Sequence, residues 1–316
     1  MDTKIIDLHC DTIDRCAEMG LGLNSGELHF NIEKRPQGLR ICQAMAIFVH
    51  SKLKGEQAQA HFLKAYEVYR QRKKAHKHQL ATLRDLRQIS ARLDEKPLAL
   101  FLTVEGGSVL GGDIGWVEKL CQMNVKMITI TWNGENELCG GIGSAKGFTP
   151  FGRQAVAKME ELGMAVDVSH MNDESFWQLC EFARQPFCAS HSNSRAICSH
   201  PRNLTDDQFR EIARRGGVVG LNYFKKFIAE GGQTTTMDDL LRHLHHFLAL
   251  GGEDTLALGS DFDGADMPAY LSGIEKLPAL IDALERSGIG KTVVEKILFG
   301  NAARYLANLS GKEESQ

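Results

Sequence analysis

Seven side chains of the kinds that bind divalent cations or carry protons stand at the ends of short apolar runs in this sequence. His9 and Asp11 follow the run at 4–8, Glu105 closes 98–104, His170 closes 164–168, His191 closes 187–189, and Asp261 and Asp263 follow 255–259. His9 and Asp11 are two residues apart, so on an extended chain both project from one face and can share a cation. Glu105 lies in TVEGG, where the glycines leave a carboxylate open on both sides, as a bridging ligand needs. The competing reading of Glu105 is an acid at a helix N-terminus. His170, in DVSH, and His191, in ASHSN, would each pass alone for a hydrogen-bonded core histidine; beside the other groups they read as ligands. Three imidazoles and two or three carboxylates exceed what one tetrahedral zinc takes, whereas two cations sharing one carboxylate use them all. The chemistry this predicts is metal-assisted hydrolysis. Two divalent ions about 3.5 Å apart bring the pKa of a bridging water toward neutrality and polarise a carbonyl. Asp261 is the predicted acid/base that takes the water's proton and delivers it to the leaving amine, against a reading as a supporting carboxylate. Asp263 reads as support for the turn DFDG.

Such convergence demands a scaffold that brings many strand ends to one rim. Eight apolar or β-branched runs recur, at 4–8, 43–49, 98–104, 125–131, 164–168, 187–189, 218–221 and 255–259. Helical periodicity fills most intervals, at 117–123, 151–162, 176–183, 205–215 and 237–250. Two of these segments open on capping boxes, TDDQ at 205–208 and TMDD at 236–239. Alternating strands and helices, with strands apolar on both faces, describe an α/β fold with a parallel sheet under helices. Eight strands predict closure into a (β/α)8 TIM-type barrel, whose chemistry gathers at the C-terminal strand ends. An open doubly wound sheet competes, but no GxGxxG follows the first strand. The charged helical stretch at 58–96, one long helix or two in succession, reads as an insertion after strand two. Residues 1–309 are expected to form one metallohydrolase domain and 310–316, SGKEESQ, a polar frayed tail.

The 316 residues, 43% hydrophobic and 24% charged, suit a globular protein with a large core. With 37 basic against 40 acidic side chains and a net charge of −3, the chain lacks the positive field that nucleic acid or anionic lipid requires. No signal-peptide pattern opens MDTKIIDLHCD and no apolar stretch is long enough to cross a bilayer, so a cytoplasmic protein with no membrane partner is expected. The eight cysteines are scattered without a CxxC and are expected to be reduced.

The chain resembles the membrane (renal) dipeptidase family, a branch of the amidohydrolase-like barrels. The matching stretches are DLHCDT at 7–12, VEGG at 104–107, DVSH at 167–170, ASHSNSRAICSHPRNLTD at 189–206, GGVVGLN at 216–222, GSDFDG at 259–264 and GNAARYL at 300–306. The resemblance implies a (β/α)8 barrel, usually a homodimer, with two zinc ions per chain. It places one zinc on His9 and Asp11 and the other on His170 and His191, with Glu105 bridging. It assigns Arg202, in HPRN, to the substrate's C-terminal carboxylate, for which the guanidinium fork is apt. It gives Asp261 the proton-transfer role that the ligand count suggests independently. One position departs: where many members carry a histidine after strand four, ITITWNGENEL has Trp132, whose indole N–H donates one hydrogen bond but does not titrate. Polarising the scissile carbonyl then falls to Trp132, to Asn133 or to the metal alone, with Trp132 as a plain pocket wall the competing reading.

Asn222 and Tyr223, past strand seven, are further candidate substrate contacts, and His50 could line the same pocket. His243, His245 and His246 read as a solvated helix face rather than a metal patch, and Gly140, Gly141 and Gly143 as a flexible loop beside Trp132. The expectation is a zinc-dependent dipeptidase of the membrane dipeptidase type that hydrolyses free dipeptides with a metal-bridging hydroxide. The resemblance further implies tolerance of a D-residue at the C-terminal position. The alternatives are a related amidohydrolase acting on an N-acyl amino acid, lactam or lactone, and a metal-holding barrel with a binding role only.

Overall fold

Strands that are apolar on both faces must be covered on both, and closing the sheet on itself inside a ring of helices achieves this. The computed structural model describes residues 2–309 and contains β1 (Thr3–Asp7), β2 (Leu39–Phe48), β3 (Leu80–Ala81), β4 (Leu98–Glu105), β5 (Val125–Thr129), β6 (Ala165–Asp167), β7 (Val219–Leu221) and β8 (Leu256–Leu258). The pairings are parallel and run β6-β5-β4-β2-β1-β8-β7. The segment at 187–189 closes the ring. Cys188 bridges Asp167 at the end of β6, and Ala189 bridges Val219 in β7. The expected barrel is therefore present, with its sixth stave reduced to two bridging residues. The polar stretch at 310–316 lies outside the described residues.

Alternation along the strands separates two cores. Ile5, Ile41, Leu98, Leu100 and Leu102 join a large cluster with residues of the outer helices, among them Ile13, Phe62 and Val117. Their neighbours Ile6, Cys42, Ala99 and Phe101 belong to a smaller cluster inside the barrel. Small interior residues, Cys42, Ala44, Ala99, Ala165, Cys188 and Ala257, leave room for Phe101 and Met127 and for a plug at the N-terminal ends of the strands. The plug comprises Leu83, Leu86, Ile89 and Leu93 together with Tyr305 and Leu306 of the helix Asn301–Ala307. With that end filled, the open space lies at the C-terminal ends.

The insertion after β2 differs from the expected run of helix at 58–96. A helix does span Gly55–Ala75, but β3 follows, then a 3-10 turn at Leu86–Gln88 and a short helix at Ile89–Glu95. The strand has a physical cause. β5 joins β4 only from Leu102 onward, so the lower edge of β4 would be unpaired, and Leu80 and Ala81 fill it opposite Leu98 and Ala99. Both expected capping boxes form. Thr205 accepts from Gln208 N and donates its own N–H to Gln208 Oε1, and Thr236 pairs with Asp239 in the same way.

Candidate metal centre

The ends of β1, β4, β6, the segment at 187–189, and β8 bring His9, Asp11, Glu105, His170, His191 and Asp261 into one buried cluster. His9 Nε2 lies 3.3 Å from Asp11 Oδ2, 4.0 Å from Glu105 Oε2 and 3.9 Å from Asp261 Oδ1. Glu105 Oε1 is 2.8 Å from His170 Nε2 and 3.6 Å from His191 Nε2, and those two nitrogens are 3.1 Å apart. His9 and His191 stack with ring centroids 3.8 Å apart. One set of three possible ligands is His9, Glu105 and His191; another is His9, Asp11 and Asp261. Glu105 thus stands between His9 on one side and His170 with His191 on the other.

The surroundings fix which atom each group presents. Ser190 Oγ donates to Asp167 Oδ2 at 2.6 Å, because a carboxylate only accepts; it must therefore accept from His191 Nδ1 at 2.7 Å, leaving a lone pair on Nε2. Asp167 also accepts from Thr129 Oγ1 and from the N–H groups of Ser169 and Ser190. His170 Nδ1 lies 2.8 Å from Asn133 Oδ1, which again directs the Nε2 lone pair inward. On the opposite side of the barrel, Asp7 accepts from the N–H groups of His9 and Ser260 and from Gln43 Nε2, tying β1 to β8 and β2; burial pushes its pKa up. Asp7 and Asp167 are functional supports that the sequence reading missed. The available signal is an acid at the end of an apolar strand, two or three residues before a ligand-type histidine, as in DLH and DVSH.

The electrostatics favour a cation. Burial opposes charge on His9, but Asp11, Glu105 and Asp261 outweigh it and push its pKa up to about 10. Burial, reinforced by Asp11, holds Glu105 well above the usual carboxylate range, and burial also raises Asp261. Burial and Arg202 drive His170 and His191 well below the usual imidazole range, so both are neutral. The two neutral imidazole nitrogens and the Glu105 carboxyl oxygen face one another at 2.8–3.6 Å. Both ring nitrogens of His9 and Asp11 Oδ1 are buried without any hydrogen-bond partner. Hard and borderline donors of this kind fit divalent ions such as zinc. Gly264 completes the cradle: a Cβ there would lie 1.9 Å from Asp11 Oδ2 and 2.9 Å from Asp261 Oδ1. Left-handed φ values of 70° at His170, 64° at Asp261 and 67° at Asp263 mark the rim as conformationally costly, as functional sites often are.

A cavity of about 550 Å³ opens above the cluster, lined by Asp11, Glu105, Trp132, Asn133, His170, Arg202 and Asp261, and also by Asp14, Glu18, Phe48, His200 and Lys226. Asp14 and Glu18 come from the helix Thr12–Met19, Phe48 from β2, His200 from the loop within 189–206 and Lys226 from the short helix Lys225–Ile228; of these five only His200 lies in a stretch that the sequence marks. Arg202 is buried with its Nε unpartnered and its Nη2 donating to His191 O, and burial lowers its pKa to about 10. Trp132 packs edge-on to Phe48 at 5.0 Å and forms part of the cavity wall.

Several expected placements are corrected. Asn222 is fully buried and donates to Asp261 Oδ2 at 2.9 Å, so it holds that carboxylate rather than facing a ligand. Tyr223 is fully buried against Phe262 and lies outside the cavity lining. His50 packs against Trp132 behind the wall. His243 is buried rather than solvated, with Nδ1 accepting from Ser194 N and Nε2 donating to Ile228 O. Asp263 accepts from Thr12 Oγ1 and from the N–H groups of His29 and Phe30, which pins the turn at the end of β8.

The family model described as membrane dipeptidase, peptidase family M19, matches residues 1–315. An uncharacterized protein from the pqqA 5′ region of Klebsiella pneumoniae is 35% identical over 227 residues, covering 68% of this chain and 84% of that protein. An uncharacterized dipeptidase of Schizosaccharomyces pombe is 29% identical over 68% of this chain, and the match spans about half, 54%, of the yeast protein. Among solved structures, the dipeptidase AC, a family M19 metallopeptidase, superposes with a TM-score of 0.91 at 25% identity, covering 97% of this chain and 98% of the other. A metallopeptidase from Rhodobacter sphaeroides, liganded with a phosphinate mimic of the dipeptide L-Ala-D-Ala, gives 0.92 at 23% identity over 98% of this chain and all of the other, a likeness of fold.

Proposed function

The chain belongs to peptidase family M19, the membrane dipeptidases, which are metal-dependent, and from that premise we propose that it hydrolyses free dipeptides on a pair of zinc ions. The observation that carries this reading is the coincidence, in one cavity, of buried donors without partners on His9 and Asp11 and a buried, partly unpartnered guanidinium on Arg202. His9 and Asp11 would hold one ion, His170 and His191 the other, and Glu105 both. When bound, the ions supply an acidified water as nucleophile and polarise the carbonyl of the scissile bond.

The chain's own groups do the rest. Arg202 binds the substrate's C-terminal carboxylate through its free guanidinium edge, which fixes the distance from that end of the substrate to the cluster. Asp261, held by Asn222, takes a proton from the attacking water as the C–O bond forms. It returns that proton to the amide nitrogen as the C–N bond breaks, giving an amine and a carboxylate. Trp132 and Phe48 form an apolar wall that excludes water. A D-residue at the second position is accepted in this reading. The eight unpaired cysteines fit a reducing compartment, and we place the protein in the cytoplasm as a homodimer.

The test is to purify the chain, reconstitute it with zinc, measure bound metal, and assay L-Xaa-L-Xaa and L-Xaa-D-Xaa dipeptides beside N-acyl amino acids, lactams and lactones. Turnover of dipeptides with about two ions per chain is expected. Two ions with turnover of the other substrates alone would move the assignment to those chemistries. One ion or none would overturn the binuclear reading, and binding of peptides without turnover would leave a binding role.

A further inference from the structure

The backbone of His170 is left-handed, with φ 70°, and a non-glycine residue holds that conformation only where its surroundings impose it. The loop at 139–144 does so. Ile142 N–H donates to His170 O at 3.0 Å, and Gly141 forms an antiparallel bridge with Met171. The same loop grips the chain beside Trp132: Gly143 N–H donates to Asn133 O at 2.7 Å, and Gly141 N–H donates to Gly134 O at 2.9 Å. A Cβ on Gly141 would lie 1.8 Å from Trp132 O and 2.8 Å from Asn133 C, so this approach requires glycine. The loop is a clamp between the chain after β5 and the chain after β6, not the flexible segment that its glycines suggest.

Asn133 is fixed as a result, with Oδ1 2.8 Å from His170 Nδ1. An amide oxygen accepts only, so the ring hydrogen sits on Nδ1 and the lone pair of Nε2 points at Glu105 and His191. We propose that Asn133, clamped by this loop, is the positioning residue that sets the tautomer and aim of His170. The proposal rests on the reading of His170 as a metal ligand. It implies that the two cation positions respond unequally to residue 133, because His9 and Asp11 have no contact with the clamp.

The experiment compares full-length wild type, N133A and N133D by two measurements. The first is the ring-nitrogen NMR shifts of His170 without added metal; the second is Zn2+ affinity by chelator competition. Wild type and N133D, which keeps an acceptor, are expected to hold the Nδ1–H tautomer, whereas N133A mixes tautomers. N133A is expected to weaken one zinc by about 10- to 100-fold and leave the other within about twofold, with N133D restoring the loss. A wild-type ring protonated at Nε2 would overturn the proposal without any variant. Equal loss of both ions in N133A, or no loss with an unchanged tautomer, would also overturn it. Should wild type bind no zinc, the metal reading fails, while the tautomer measurement still decides the role of Asn133.

Discussion

Replacing Asp167 by asparagine should damage metal binding from a residue that never reaches the cavity. The carboxylate is fully buried and accepts four hydrogen bonds, at 2.6 Å from Thr129 Oγ1 and Ser190 Oγ, 2.8 Å from Ser190 N and 3.0 Å from Ser169 N. In D167N the carbonyl can keep the two backbone N–H donors, which turns the amide NH2 toward the two hydroxyls. Both hydroxyls must then rotate to accept, and Ser190 points its hydrogen at His191 Nδ1. That nitrogen becomes an acceptor, the imidazole hydrogen moves to Nε2, and the lone pair facing Glu105 disappears. Four charge-assisted bonds, about 1.5–3 kcal/mol each, become neutral ones of about 1 kcal/mol, a gross stability loss of about 2–8 kcal/mol that is offset in part because a charge is no longer buried. The loss in affinity for the ion held by His191 should be at least about 10- to 100-fold. Chelator competition with Zn2+ measures the affinity and thermal unfolding the stability. S190A, which deletes the relay hydroxyl but keeps the Asp167 charge, should loosen the metal with a smaller stability change. A D167N protein that binds both ions as tightly as wild type would refute the relay.

D261N should retain its bound zinc and lose about 10²–10⁴-fold in turnover, measured as kcat beside metal content; loss of metal would recast Asp261 as a ligand. R202A should cost about ten- to a hundredfold in kcat/KM for dipeptides with a free C-terminal carboxylate, mainly through KM, and little for their amides. An equal loss on both would remove the carboxylate role. His243 should make the fold acid-sensitive. Its Nδ1 accepts from Ser194 N–H at 3.0 Å and burial lowers its pKa to about 4, while an unfolded histidine titrates near about 6.5. The unfolded chain therefore binds the extra proton first, and stability falls as pH drops through that window, by about 3 kcal/mol in all. The slope of unfolding midpoint against pH should flatten in H243Q, and an unchanged slope would rule this out.

The residues at the rim are legible because a parallel strand leaves a readable edge: an apolar run that stops, followed by a side chain of another kind. Strand periodicity likewise announces the barrel, although the stave at Cys188 and Ala189 is too short for any pattern to define. The supports carry only a faint mark, an acid two or three residues before a ligand-type histidine. A single acid in a strand, such as Asp7 or Asp167, has no period, and its meaning comes from donors on neighbouring strands that lie far off in sequence. His243 was misjudged because one turn of helix carries three histidines and only packing against Ser194 and Ile228 decides which one is inside. The short strand β3 owes its existence to an unpaired edge on β4, which no local propensity encodes.

Closure of the barrel between its first and last strands sets a schedule for biosynthesis. Asp7 pairs with Leu258, and Cys10 bridges Phe262, contacts that join stretches of chain synthesised about 250 residues apart. At about 5–20 residues per second, β1 waits roughly 10–50 s for its second neighbour. Asp11 and Asp261 cannot meet before then, so the cluster gains its full set of carboxylates only once β8 has been made. A nascent polypeptide stalled short of β8 would hold His9, Glu105, His170 and His191 without the carboxylate that completes the rim, and the cell's metal would reach a half-built site.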